Sequence, residues 1–108
     1  QTLQIVFVAN GEFQRHFKRI VDFHQLHRRV AVCDFDEPLA RKAYGSSDFV
    51  LMPSRFEPCG LTQMIGAIDG ALPVAHDTGG IHDTITHLNV EKNSGNGFLF
   101  KYFDSTGL

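Results

Sequence analysis

Short apolar runs alternate along this chain with stretches in which apolar residues recur every three or four positions. The apolar runs predict five strands, at residues 5–9, 29–33, 49–53, 72–75 and 97–103. The first run is continuous and is typical of a strand buried on both faces. The helical spacing predicts four helices, at residues 12–27, 36–45, 60–70 and 80–87, and the polar residues 89–96 predict a loop.

Strand and helix alternate throughout the chain, which favours an α/β fold. We expect a Rossmann-like parallel sheet with right-handed crossovers and helices on both faces. A chain of 108 residues, 43% of them hydrophobic, buries one core. The chain starts at Gln1, and Ser105 to Leu108 are typical of the start of another helix. We therefore expect residues 1–108 to be a single partial domain from a longer chain.

Charge and composition exclude several classes of partner. A formal net charge of −2 indicates no nucleic acid and no anionic membrane surface as a partner. No apolar run approaches the roughly 20 residues of a membrane span. The six histidines have no metal-ligand spacing, and Cys33 and Cys59 are too few for a disulfide framework or a four-thiolate site. We expect no metal and a reducing compartment.

Two strand-to-helix junctions carry unusual chemistry, at residues 53–63 and 77–80. Ligands of parallel α/β sheets bind beyond the carboxyl ends of the strands, where helix N-termini present unpaired N–H groups. Gly60, Gly79 and Gly80 remove side chains at points where a backbone could approach a diphosphate or a sugar. Neither junction matches the G-x-G-x-x-G or P-loop patterns, so the glycines by themselves fit simple turns equally well.

Residues 48–63, Asp-Phe-Val-Leu-Met-Pro-Ser-Arg-Phe-Glu-Pro-Cys-Gly-Leu-Thr-Gln, resemble the hallmark segment of bacterial glycogen synthases and plant starch synthases. Thr-Gly-Gly-Ile-His-Asp-Thr-Ile at 78–85 resembles the T-G-G segment that follows in that family. Phe-Asp-Glu at 35–37 and Gly-Phe-Leu-Phe at 97–100 resemble two further family elements. The similarity covers nearly the whole chain from about Val30.

This resemblance implies the middle of the C-terminal, donor-binding domain of a GT-B glycosyltransferase. The family transfers glucose, with retention, from ADP-glucose, or UDP-glucose in some members, to an α-1,4-glucan. The resemblance implies no cofactor, an α-glucan acceptor held by an N-terminal domain, and a cytoplasmic location, with a plastid as the alternative if the source is a plant. The 108 residues by themselves are expected to be inactive.

The resemblance also implies roles for particular residues. Glu57 is the candidate catalytic carboxylate, which grips sugar hydroxyls and favours positive charge at the anomeric carbon; the alternative is an acid that complements a helix dipole. Seven residues are expected to line the donor sugar and diphosphate site: Cys59, Gly60, Leu61, Gln63, Thr78, Gly79 and Gly80. Cys59 is read as a pocket wall, Gln63 as either a donor contact or a solvent-facing residue, and Arg55 as an anchor of its loop.

Phe35 stands where the family commonly has a tyrosine that stacks on adenine, and the alternative is a core aromatic residue. The chain departs from the family at His76 and Asp77, where two basic residues are usual. That departure supports a second hypothesis, a related glycosyltransferase with another sugar or acceptor. A third hypothesis is a non-catalytic module that binds nucleotide or glucan.

Overall fold

The computed structural model of the chain describes residues 2–104, apart from the side chain of Gln63. Strands and helices alternate in the order β1 Ile5–Val8, α1 Gln14–Phe23, β2 Val30–Cys33, α2 Glu37–Ser46, β3 Phe49–Met52, α3 Leu61–Ile68, β4 Leu72–His76, α4 Gly79–Thr84 and β5 Phe98–Phe100. The five strands and four helices predicted for residues 5–103 are all present, with ends that differ by several residues at α1 and β5, and the helix start predicted at Ser105 to Leu108 lies outside the described residues. The chain divides into two compact units near residue 43.

The first unit is built on a two-stranded parallel sheet. Ile5 of β1 pairs with Val30 of β2, and the register continues to Val8 and Cys33. Helix α1 packs on this sheet, with the Phe17 ring stacked on that of Phe7 at 4.9 Å between centroids. Val6 is 55% exposed, so the prediction that the first strand is buried on both faces is wrong for this unit. Burial of both faces needs a layer of structure on each side.

The second unit is built on a three-stranded parallel sheet in the order β3-β4-β5. Met52 of β3 pairs with Ala75 of β4, which pairs with Leu99 of β5. This register brings the carboxyl ends of β3 and β4 to one edge of the sheet. The segments that follow these strands, residues 53–60 and 77–80, are therefore neighbours.

The core of the second unit lies on one face of its sheet. Met52 and Ala75 pack there against Ile81 of α4 and against Ile85, which directly follows that helix, and all four are buried. Opposite, Phe49 and Leu51 are half exposed. The predicted parallel α/β fold is confirmed. Within the described residues of this unit, however, the second helical layer is not seen, and whether residues 1–108 form part of one larger domain stays a prediction.

Helix α3 joins this core through a glycine rather than through its large apolar residues. Gly66 is buried against Val50, and a Cβ atom built on Gly66 would lie 2.9 Å from Val50 Cγ2. Leu61 and Ile68 of the same helix are exposed. The close approach of α3 to β3 therefore depends on a missing side chain, and it sets where the helix begins beside residues 57–60.

The first prediction follows from this contact. Gly66→Ala should lower the melting temperature, because overpacking against Val50 costs about 1–3 kcal/mol and exceeds the roughly 0.5–1 kcal/mol that alanine contributes to a helix. Gly45 in α2 has no neighbouring atom within 4 Å of a built Cβ, so Gly45→Ala should raise the melting temperature through the same helix gain. Thermal unfolding of the two variants beside the wild type gives the signs. Shifts of equal sign would contradict the packing of Gly66.

Candidate functional site

The two unusual junctions meet through backbone contact at the carboxyl edge of the β3-β4-β5 sheet. The Gly80 N–H donates to the Glu57 carbonyl oxygen at 2.9 Å. A Cβ atom on Gly79 would collide with the Glu57 carbonyl group, and one on Gly80 would collide with the Pro58 carbonyl group. Gly79 also has φ of +51°, in the left-handed region that favours glycine. These glycines therefore let the turn at 78–80 lie directly on residues 57–59.

The sequence alone suggested turn residues or an approach to ligand for these glycines. The structure adds a third role, the close packing of the turn at 78–80 on residues 57–59. The sequence could not predict this role, because the two loops are distant along the chain. A ligand can still meet the exposed side of Gly79, so the predicted donor contact is untested by this packing. Thr78, which precedes the turn, is half-buried and extended, and its side chain does not cap α4.

Glu57 lies half-buried where the two loops meet. Its carboxylate Oε1 accepts a hydrogen bond from the Gly60 N–H at 3.3 Å. Gly60 precedes α3 in the left-handed conformation, with φ of 72° and ψ of 53°, which favours glycine because a Cβ atom is strained there. The contact satisfies an N–H near the start of α3, as the dipole hypothesis predicts, and it also fixes the carboxylate at the sheet edge, as a catalytic role requires.

The other predicted donor residues flank this point. Cys59 and Leu61 are exposed beside the buried Gly60, so their side chains are accessible at the junction. Gln63 belongs to α3, and its side chain lies outside the described residues. The structure thus brings residues 57–61 and 78–80 together, and their roles toward a ligand stay predictions.

An aromatic cluster supports the loop after β3. His76 Nδ1–H donates to the Ser54 carbonyl oxygen at 2.8 Å, which ties the end of β4 to that loop. The His76 ring packs against the rings of Phe100 and Phe103, with centroids 5.6 and 5.4 Å away. The Arg55 guanidinium lies over the Phe103 ring at 5.4 Å, within cation–π range. Arg55 therefore makes the loop-anchoring kind of contact that the sequence favoured.

The unusual acid at position 77 has a partner five residues away. His82 Nδ1–H donates to Asp77 Oδ1 at 2.7 Å. The hydrogen bond to Asp77, and then the charge of Asp77, raise the pKa of His82, with a smaller contribution from Asp83. The ion pair and the His76–Ser54 contact were missed from the sequence, because a polar residue in a loop gives no signal of its partner.

Phe35 lies in the first unit, between β2 and α2, and is 55% exposed. Its backbone N–H donates to the side-chain oxygen of Asn10, the second residue after β1, at 3.1 Å. Within the described residues, the Phe35 ring is not packed in a core, because a core ring is shielded from solvent on all sides. The ring is available for stacking, and its contact with a nucleotide base stays a prediction.

Residues 2–104 contain no cluster of three or more histidine, cysteine or carboxylate side chains placed to hold a metal ion. In the same part of the chain, no helix has the length and apolar character that crossing a membrane demands.

Comparisons with known proteins place these features in context. No family model matches the chain. It is 43% identical over 110 residues to the glycogen synthase of Bacillus subtilis, a match that covers all of this chain and 22% of that protein. Over 85 residues it is 46% identical to the glycogen synthase of Aquifex aeolicus, which covers 78% of this chain and 18% of that protein.

A solved structure agrees with these relatives. The catalytic domain of starch synthase IV from Arabidopsis thaliana, bound to ADP and acarbose, superposes with a TM-score of 0.82 at 35% identity. The match covers 96% of this chain and 22% of that one. In sequence and in fold, this chain is therefore homologous to glycogen and starch synthases and spans about one fifth of the length of these relatives.

Proposed function

We propose that this chain forms part of the donor-binding half of a retaining glucosyltransferase that transfers glucose from ADP-glucose to an α-1,4-glucan. The observation that carries the proposal is the junction of residues 57–61 with residues 78–80, on a chain that is 43% identical to a glycogen synthase over its whole length. The homologous starch synthase was solved with ADP and acarbose, which favours an adenine nucleotide as donor and a glucan as acceptor. UDP-glucose is the alternative donor.

The proposed reaction has two charges to stabilise. The bond between the anomeric carbon and the diphosphate breaks, and its electron pair leaves with the diphosphate oxygen. The acceptor hydroxyl oxygen bonds to the same carbon, and its proton passes to the leaving phosphate. The Glu57 carboxylate, which accepts the Gly60 N–H, is available to stabilise the cationic sugar, and the exposed Gly79 leaves room for the diphosphate to approach the backbone.

Other partners follow from the same proposal. The acceptor glucan would be held by residues outside this chain, and no resident cofactor is invoked. The bacterial relatives favour a cytoplasmic enzyme. The departure at His76–Asp77 still supports the alternative of a related transferase with another sugar or acceptor, and both residues have structural partners, in Ser54 and His82. Activity of the full-length protein with ADP-glucose and glycogen tests the proposal; nucleotide binding without transfer would indicate a non-catalytic module.

The second prediction tests the charge of Glu57. Glu57→Gln in the full-length protein should lower kcat about a hundredfold, because a charge interaction made in the transition state contributes about 3 kcal/mol. The glutamine oxygen can still accept the Gly60 N–H, so stability should change little. Steady-state kinetics and a melting curve measure the two effects.

Asp36 provides a matched control for Glu57. Its Oδ2 accepts the Leu39 N–H at 3.1 Å, which is the same three-residue spacing at the start of α2. Asp36→Asn should leave kcat near the wild-type value. If the two variants have equal kcat, Glu57 is only a helix-end acid and the catalytic assignment is wrong.

The third prediction tests whether the Phe35 ring stacks on the base of the donor nucleotide. Phe35→Ala should raise KM for ADP-glucose about fivefold or more and leave kcat comparatively unchanged, because the base lies far from the breaking bond and its contact strengthens ground state and transition state alike. Base–aromatic stacks contribute about 1–3 kcal/mol in nucleic-acid sites. Phe35→Tyr should be nearly neutral, since the stacking face remains.

Because Phe35 is half exposed, its replacement should hardly change the melting temperature. Phe23, the last residue of α1, is 83% exposed and serves as the control for removing an exposed ring from the same unit. Phe23→Ala should leave KM unaltered. An unchanged KM in Phe35→Ala would remove Phe35 from the nucleotide site.

A further inference from the structure

The Asp77–His82 ion pair spans the turn that meets Glu57. Asp77 directly follows β4 and His82 lies within α4, so the pair closes a loop around Thr78, Gly79 and Gly80. The side chains of Asp77 and His82 differ in their exposure to solvent. The Asp77 side chain is only 18% exposed and its backbone N–H donates to the Phe100 carbonyl oxygen at 2.9 Å, whereas the His82 side chain is 71% exposed.

A fixed acid therefore holds an exposed imidazole on the far side of the turn. Ile81, the residue before His82, is fully buried in the core, so α4 cannot rotate freely around it. The turn between Asp77 and His82 in turn touches the Glu57 segment through the Gly80–Glu57 hydrogen bond and through the two glycine contacts. With no space for a Cβ atom between the loops, a shift of the turn shifts residues 57–60.

We propose that Asp77 and His82 are positioning residues: their ion pair holds the turn at 78–80 in place, and the turn in turn keeps the Glu57–Gly60 segment in the geometry that activity requires. The catalytic part of this inference rests on the proposed function. The structural part, that the pair governs the Glu57 segment, stands on the contacts alone.

The strength of the Asp77–His82 ion pair depends on pH in a defined direction. Among the described residues, the charged groups that act on His82 are Asp77, at the end of β4, and Asp83, on α4; both raise its pKa, Asp77 more than Asp83. Below the ordinary imidazole pKa of about 6.5, the pair is fully present. It is lost as the pH rises through the raised pKa of the folded protein. Above that pH, the His82 imidazole is neutral and no longer supplies a positive charge to the pair.

The structural arm of the test uses nuclear magnetic resonance on the full-length protein, with labelled histidine and labelled glycine. The amide signals of Gly60 and Gly80 should shift with pH at the same midpoint as the His82 ring. Asp77→Asn should lower the His82 midpoint and abolish the linked glycine shifts. Glycine amides that do not follow His82 would overturn the proposal.

Asp22 and His27 supply a matched control. They form the same kind of pair, five residues apart at 2.7 Å, on the surface of the other unit. Asp22→Asn should leave the Gly60 and Gly80 amide shifts as they are in the wild type. If Asp22→Asn removes those shifts as well, the effect is not specific to the Asp77–His82 ion pair and the proposal fails.

The catalytic arm, and the fourth prediction, compares kcat with KM across pH. At a pH below the raised pKa, Asp77→Asn and His82→Gln should lower kcat about two- to fivefold, the size expected for an exposed ion pair, with a smaller change in KM. His82→Lys should restore kcat and remove its dependence on pH near neutrality, because lysine stays charged to about pH 10.

The outcomes separate the two hypotheses. If the full-length protein transfers no glucose, the proposed function fails. The pH dependence of the glycine amide signals then still tests whether the Asp77–His82 ion pair holds the turn at 78–80. If it is active and Asp77→Asn has the kcat of the wild type at every pH, the pair does not position Glu57 and the inference is wrong. A histidine that acted only on folding would change the melting temperature without changing the pH profile of kcat.

Discussion

Two loops of this chain touch through backbone atoms alone, and that contact defines the candidate site. Gly79 and Gly80 have no side chains, so the turn after β4 lies against the Glu57 and Pro58 carbonyl groups. Any larger residue at either position would push the loops apart. The contact also places a carboxylate and the start of two helices at one edge of a parallel sheet, which is where ligands of such sheets bind.

The same principle of close approach governs helix α3. Gly66 lets the helix lie directly on Val50, while the large apolar residues of α3 point elsewhere and are exposed. A patterned helix ordinarily buries its apolar stripe. Here the sequence carries more apolar surface than the described residues cover, both on α3 and on the Phe49 face of the sheet, and this agrees with a chain that matches about one fifth of its relatives.

The departure from the family pattern at positions 76 and 77 has a local explanation in the structure. His76 donates to the Ser54 carbonyl group and packs against two phenylalanine rings, and Asp77 pairs with His82. Both side chains therefore have partners within the same unit. The side chain of Asp77 is paired with the His82 imidazole and is not an isolated acid beside the turn.

Local pattern was enough to find every strand and helix of residues 2–104, and the motifs at 48–63 and 78–85 were enough to indicate the family, while the role of Glu57 stays a prediction. Spacing and turn chemistry are properties of neighbours along the chain, which explains this success. Tertiary structure alone decided that Phe35 is exposed, that Val6 is not buried, and that Gly80 contacts Glu57. Each of these depends on residues distant in sequence, and no local propensity encodes which surfaces meet or which remain uncovered.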